Sequence, residues 1–370
     1  MPKKPIVVFW DEVSKKQPYD HRTFVREAIG GTQASVIRVA EALAETCDVR
    51  VIQRLRQADV LSPTGVLYSG PYGARAAHEP VHAVIVVRGF DIPTRLRRRY
   101  PEARLFLWCH DFEDASGTLE AAGRALAALS TTVVAVSECH RRHLVALFAS
   151  RHGLSRGPDV VRIDNPIDQD LHPDSTAVEP NTLLFCSSPH KGLDRAVTIF
   201  RRALLRFPAL TLEVADPGYR PWPRVDVPRV RYLGSLPFQE LVPYMRRALC
   251  VFYPNTDVPE TFGLVYAEAN AVGTPVLAHP IGAADEVLNG PGQLLDCTDA
   301  DAVVECVGRW RAGGRPRVQG CERLRIARVK EAWLDVLEVP TSPHASRPSM
   351  PESRLTRGSD GAGRSDGCGA

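Results

Sequence analysis

Two glutamates stand eight residues apart in the stretch Pro259-Glu-Thr-Phe-Gly-Leu-Val-Tyr-Ala-Glu-Ala-Asn-Ala-Val-Gly-Thr-Pro-Val276. Glu260 precedes an apolar run of helical spacing that stops at Gly273, so the pattern predicts a helix over about residues 262–271 with Glu260 in the loop before it and Glu268 on it. At about 1.5 Å rise per residue, the two carboxylates lie at most ~12 Å apart along the axis. Between them fall the unpaired N–H groups of the helix start, a natural seat for phosphate. Gly263 keeps that first turn open to close approach. Carboxylates accept hydrogen bonds from hydroxyls, and helix amides donate to phosphate oxygens. A nucleotide-sugar carries sugar hydroxyls, diphosphate and ribose hydroxyls in that order. Taken singly, Glu260 is better explained as a partner of the helix dipole and Glu268 as a solvent-facing residue; the whole phrase shifts that balance.

The elements that must position these residues alternate between short β-rich runs and helical patterns, which is the signature of βαβ units and parallel sheets. Strands are expected at residues 6–10, 49–52, 84–87, 105–108, 132–136 and 160–163, and again at 183–186, 210–214, 230–233, 250–253 and 274–278. Helices fit 34–45, 193–206, 241–248, 262–271 and 315–338, and residues 11–29 read as a long irregular connection. Parallel sheets place their working loops at the carboxyl ends of strands. Those ends carry Arg88-Gly89, His110-Asp111, Ser137-Glu138 and Asn165-Pro166. The expected fold is α/β, with two Rossmann-like doubly wound domains facing a central cleft. Residues 1–170 form the first and 171–314 the second. Residues 315–339 form a terminal helix packing back toward the first domain, and 340–370 a disordered tail poor in apolar residues.

Composition narrows the classes of function. Apolar residues make up 44% of 370, enough for a sizeable core, and a net charge of +3 gives no ground for a nucleic-acid partner. The basic groups Arg95, Arg97, Arg98, Arg99 and Arg141, Arg142, His143 read first as solvated helix faces and second as contacts for anionic lipid or an acidic acceptor. Only five apolar residues follow the first lysines, too few for a signal-peptide core, and no run reaches the roughly 20 that a spanning helix needs. The nine cysteines are scattered, with no metal-like spacing. Cys109 and Cys139, beside histidines, read as buried thiols rather than nucleophiles. A cytoplasmic protein is expected, with a peripheral position at the inner membrane face as the variant reading.

The phrase Glu260-Thr-Phe-Gly-Leu-Val-Tyr-Ala-Glu268 resembles the Glu-x7-Glu signature of family 4 retaining glycosyltransferases of the GT-B fold, and Gly273-Thr-Pro-Val276 matches it too. Over roughly residues 5–338 the resemblance recurs in order: Gly30-Gly31-Thr32, Trp108-Cys-His-Asp111, Val136-Ser-Glu138, Asn165-Pro-Ile-Asp168, Lys191-Gly192 and Leu236-Pro-Phe-Gln-Glu-Leu241. Each is weak alone; their order and spacing together are specific.

The resemblance implies transfer of a glycosyl group from a UDP- or GDP-sugar with retention of configuration. The acceptor would be a glycan, a lipid-linked molecule or a small metabolite, in a setting such as bacterial polysaccharide or glycoconjugate synthesis. It gives Glu260, Lys191 and His110 the catalytic places: sugar hydroxyls for Glu260, the leaving diphosphate for Lys191, and the cleft beside the transferring sugar for His110. Glu268 would hold the ribose, while Gly30, Gly31, Thr261, Phe262, Gly263 and Leu264 would approach the donor. Tyr19, His21 and Arg22, in the irregular connection, are placed on the acceptor side. No cofactor and no metal are expected, because no Asp-x-Asp lies in the right place and Lys191 supplies the positive charge. Asn165 and Asp168 are expected to shape the interdomain turn.

Two departures stand out. Ser187 and Ser188 occupy the region where many members carry an arginine ahead of the lysine, and Asn165-Pro166 replaces the usual Asn-Gly. The missing arginine motivates a second reading, a catalytically inactive nucleotide-sugar-binding partner subunit. Another GT-B-like enzyme, such as an epimerase or phosphorylase, is a third. A dinucleotide-dependent dehydrogenase is weaker still, since no Gly-x-Gly-x-x-Gly follows a strand.

Overall fold

The computed structural model describes residues 3–14, 17–72, 79–112, 118–150, 157–218 and 221–340. The expected tail lies outside them beyond Pro340. The first half runs β1 (Ile6–Asp11), α1 (His21–Arg26), α2 (Gly31–Leu43), β2 (Asp48–Gln53), β3 (Val60–Leu61), β4 (Leu67–Ser69), β5 (Ala83–Val87), α3 (Ile92–Arg99), β6 (Arg104–Trp108), α4 (Thr118–Ala128), β7 (Thr132–Ala135), α5 (Glu138–Ser150) and β8 (Val160–Arg162). Its sheet has the order β3-β4-β2-β1-β5-β6-β7-β8, parallel throughout except for the β3–β4 pair.

The second half runs β9 (Glu179–Phe185), α6 (Leu193–Arg206), β10 (Thr211–Ala215), β11 (Val230–Gly234), α7 (Phe238–Arg247), β12 (Ala248–Tyr253), α8 (Leu264–Ala271), β13 (Val276–Ala278), α9 (Ala284–Val287), α10 (Ala300–Arg309) and α11 (Ile326–Leu337). Its parallel sheet has the order β11-β10-β9-β12-β13.

The strands are apolar on both faces because helices cover both. In β1, Val7 and Phe9 join one core while Ile6, Val8 and Trp10 join the other. β5 divides in the same way, Ala83, Ile85 and Val87 against Val84 and Val86. Alternation of side chains across a pleated strand requires this split, and such doubly buried strands belong to parallel sheets. α11 packs against α2 in the first half, and its Trp333 ring lies 5.0 Å from Trp108.

The structure corrects the sequence expectation in several places. The connection after β1 is not wholly irregular: Asp20 caps α1, accepting from the Arg22 and Thr23 amides, with the Thr23 hydroxyl returning to the Asp20 backbone in a capping box. α2 begins at Gly31, three residues earlier than expected, with Gly30 as its N-cap. Within 315–338 only Ile326–Leu337 is α-helical. β3, β4, α4, α9 and α10 were not expected. Among the arginines read as solvated faces, Arg95 pairs with Glu12, Arg97 donates to the carbonyls of Pro101 and Ala103, and Arg141 pairs with Glu138. Among the described residues, no helix is long and apolar enough to cross a membrane.

Candidate functional site

Glu260 follows β12 by way of a turn tied by the Asn255 side chain, whose carbonyl oxygen accepts from the amides of Asp257 and Val258. Its own backbone is pinned from the other side. The Ala283 amide donates to the Glu260 carbonyl at 3.0 Å, and Gly282 (φ 64°) lies so close that a Cβ there would sit 2.4 Å from that oxygen. Only glycine fits. The Glu260 carboxylate is thereby buried and carries a definite set of partners: Lys191 Nζ at 2.8 Å from both oxygens, and the Tyr253 hydroxyl donating at 2.7 Å. Burial, with the Glu260 charge beside it, pushes the Tyr253 phenol well above its ordinary range, so it stays a donor.

Two helix starts converge on the cleft beside this cluster. α8 is entered through Gly263 at φ 82°, where a Cβ would meet the Tyr266 ring at 2.3 Å, and no side chain caps it. α2 is entered through Gly30, also without a side-chain cap. The two ends nearly touch: a Cβ on Gly31 would lie 3.2 Å from Leu264 Cδ1. Uncapped helix starts present free amides and partial positive charge, which together favour an anion. The cleft has a volume of about 420 Å³ and is lined in part by Gly30, Gly31, Lys191, Glu260, Gly263, Leu264 and Glu268. Helix 262–271 therefore begins two residues later than expected, with Phe262 buried ahead of it and Gly263 as its cap.

Glu268 reaches the cleft edge but is engaged by a residue of the first half. Arg38 of α2 donates to it at 3.0 Å and to both oxygens of Asp168 at 2.8 and 3.0 Å. The guanidinium lies against the stacked rings of Phe24 and Phe238, 4.9 and 5.1 Å from their centroids. One cation thus serves two carboxylates. Burial pushes the Glu268 carboxyl up to about 7, against the pull of Arg38 and with help from Asp168.

His110 lies two residues beyond β6, on another part of the cleft wall. Its carbonyl accepts from the Thr261 hydroxyl at 2.8 Å, and the Thr261 carbonyl accepts from the Ser137 hydroxyl at 2.6 Å. Thr261 therefore fastens the Glu260 loop to the first sheet. The His110 ring is buried, and burial, then the charges of Arg88 and His140, hold it well below the usual histidine range, so it is neutral near pH 7.

Tyr19, His21 and Arg22 are not among the cleft-lining residues. Tyr19 is turned inward to donate to Asp11 at 2.8 Å, while Arg22 folds back on the Asp20 cap. From the same connection, Phe24 and the segment from Glu27 to Ile29 line the cleft. Asn165 also lines the cleft. Burial raises the Cys109 and Cys139 thiols, which keeps them protonated.

Arg38 and Tyr253 were missed from sequence, and Arg88 was read only as a strand end without a role. A charged residue within the apolar stripe of α2 was the available sign for Arg38. Nothing local marked Tyr253.

Comparison with known proteins follows the same outline. Residues 180–311 match the family model described as "Glycosyl transferases group 1", a stretch containing Lys191, Glu260 and Glu268. The D-inositol 3-phosphate glycosyltransferase of Corynebacterium urealyticum is 31% identical over 125 residues, which are 33% of this chain and 29% of that protein. The chain thus matches under a third of that relative's length. Sucrose-phosphate synthase from Thermosynechococcus elongatus superposes with a TM-score of 0.66 at 16% identity, covering 90% of this chain and 98% of that one. An α-glucosyltransferase in complex with UDP-glucose and DNA containing an abasic site gives 0.57 at 12% identity, with coverages of 91% and 100%. At these identities the likeness to solved structures is one of fold: two sheets in the GT-B arrangement.

Proposed function

We propose that this chain is a glycosyltransferase that takes a sugar from a UDP- or GDP-sugar and passes it, with retention of configuration, to a glycan, lipid-linked or small-molecule acceptor. The observation that carries this reading is the convergence of the Lys191–Glu260 pair and two uncapped helix starts on one cleft. The match of residues 180–311 to group 1 glycosyltransferases supports it. The diphosphate would sit against the amides of α8 and α2 and the Lys191 ammonium, where negative charge grows as the glycosidic bond breaks. Glu260 would take the sugar hydroxyls and Glu268 the ribose, once Arg38 is left to Asp168. His110, neutral and buried, would face the transferring sugar. Membership of family 4 and retention rest on the Glu260-x7-Glu268 pattern, and no protein nucleophile is assigned. Domain limits at residues 170 and 314 belong to the same proposal.

The test is a panel of UDP- and GDP-sugars, read by thermal shift and by release of nucleoside diphosphate with and without sugar acceptors. One donor class is expected to raise the melting temperature and to be turned over. Binding without turnover across acceptors would favour the inactive partner subunit, and no binding at all would end both readings.

A further inference from the structure

We propose that Arg88 and His110 form a subsite on the first sheet for an oxyanion carried by the acceptor, a phosphomonoester or a carboxylate. This rests on the donor reading above and names the class of acceptor. Arg88 follows β5, and its amide donates to the Trp108 carbonyl at 3.0 Å, which sets it beside the end of β6, two residues before His110. Its φ of 58° is left-handed, unusual for a residue with a Cβ and a cost of roughly 1–3 kcal/mol. Both residues line the cleft.

The guanidinium has no ion pair among the described residues, and its Nε is shielded from solvent without a partner. Three other sheltered arginines are matched by carboxylates, Arg38 by Asp168 and Glu268, Arg50 by Asp48 and Glu79, and Arg56 by Asp20, while Arg315 donates to the carbonyls of Leu249 and Ala248. His110 is 8% exposed, and its Nε2 is likewise buried without a partner among the described residues. Buried polar atoms are nearly always satisfied, so the three unsatisfied ones that line this cleft, Arg88 Nε, His110 Nε2 and Asn165 Oδ1, point to something that binds there. Lys191, the other lysine or arginine that lines the cleft among the described residues, is held by Glu260 on the second half. An oxyanion on the acceptor would supply Arg88 with its counter-charge and fit the planar fork of its donors. His110 would donate the second bond.

The experiment saturates the full chain with UDP or GDP, to fill the donor site, and titrates it calorimetrically with inorganic phosphate, glucose 6-phosphate and glucose. Wild type, Arg88→Gln and Arg88→Lys are compared. Phosphate and glucose 6-phosphate are expected to bind wild type, with glucose at least about tenfold weaker than its phosphate. Arg88→Gln should lose about tenfold or more for both anions, and Arg88→Lys should keep part, which also covers a Gln variant that does not fold. Equal anion affinity in wild type and Arg88→Gln overturns the subsite. A tenfold loss of nucleotide affinity in Arg88→Gln would put the guanidinium on the donor and overturn it too. If neither nucleotide binds wild type, the donor reading fails and the acceptor subsite with it.

Discussion

The ammonium of Lys191 lies 2.8 Å from both carboxylate oxygens of Glu260, a residue 69 positions away in the chain. The pair joins the loop before α6 to the loop before α8, so the groups assigned to the diphosphate and to the sugar form one unit.

Glu260→Gln removes the charge but keeps the shape. The Tyr253 hydroxyl keeps an acceptor, while the Lys191 ammonium, partly exposed, is released to water. We expect the melting temperature to change little and turnover to fall on the order of 10²-fold, measured as nucleoside diphosphate release at saturating donor. Near-normal turnover would take Glu260 out of the chemistry.

Much of the fold was legible because the central strands β1, β5 and β6 are apolar on both faces and end at polar residues. Short β3 and β4 carried too little pattern. α10 was readable in principle, since Asp299 caps it and Val303, Val304 and Val307 follow helical spacing. At the site, Glu260 and Glu268 were marked by local spacing around one helix. The Lys191–Glu260 contact and the clasp of Arg38 on Glu268 depend on chain segments meeting across 69 and 230 positions, which no local pattern encodes. The left-handed backbone of Arg88 leaves no trace in composition either.

Among the described residues, Arg38 is the one cation shared by buried Glu268 and half-buried Asp168. Arg38→Met keeps most of the packing against Phe24 and Phe238 but leaves two carboxylates unmatched. We expect a loss of about 3–5 kcal/mol in urea unfolding, partly restored by adding Asp168→Asn. A loss below ~1 kcal/mol, or no restoration, would show that the cluster contributes little.

Glu268 should make stability depend on pH. Its carboxyl is raised from its ordinary 4.5 to about 7 in the folded chain. Between those values the folded state holds a proton that the unfolded state has released, so stability falls as pH rises, by up to about 1.4 kcal/mol per unit. The contribution is fully present below the ordinary value and gone once pH has passed about 7. Unfolding wild type and Glu268→Gln from pH 5 to 7.5 checks this: the wild type should lose stability relative to the variant as pH rises. A difference that stays constant with pH would contradict it.

Gly263→Ala places a Cβ against the Tyr266 ring in a left-handed backbone. The expected cost is roughly 1–3 kcal/mol, together with weaker nucleoside diphosphate binding as the first turn of α8 shifts. Unchanged stability and affinity would show that this turn is not held in the conformation described.

Whether the cleft seats a nucleoside diphosphate against Lys191 is tested most directly by calorimetric titration of UDP and GDP into wild type and Lys191→Ala. One nucleotide should bind wild type and bind the variant about 10- to 50-fold more weakly, the loss of one charge-assisted contact. Equal affinity in the two proteins, or no binding of either nucleotide to wild type, would contradict the account.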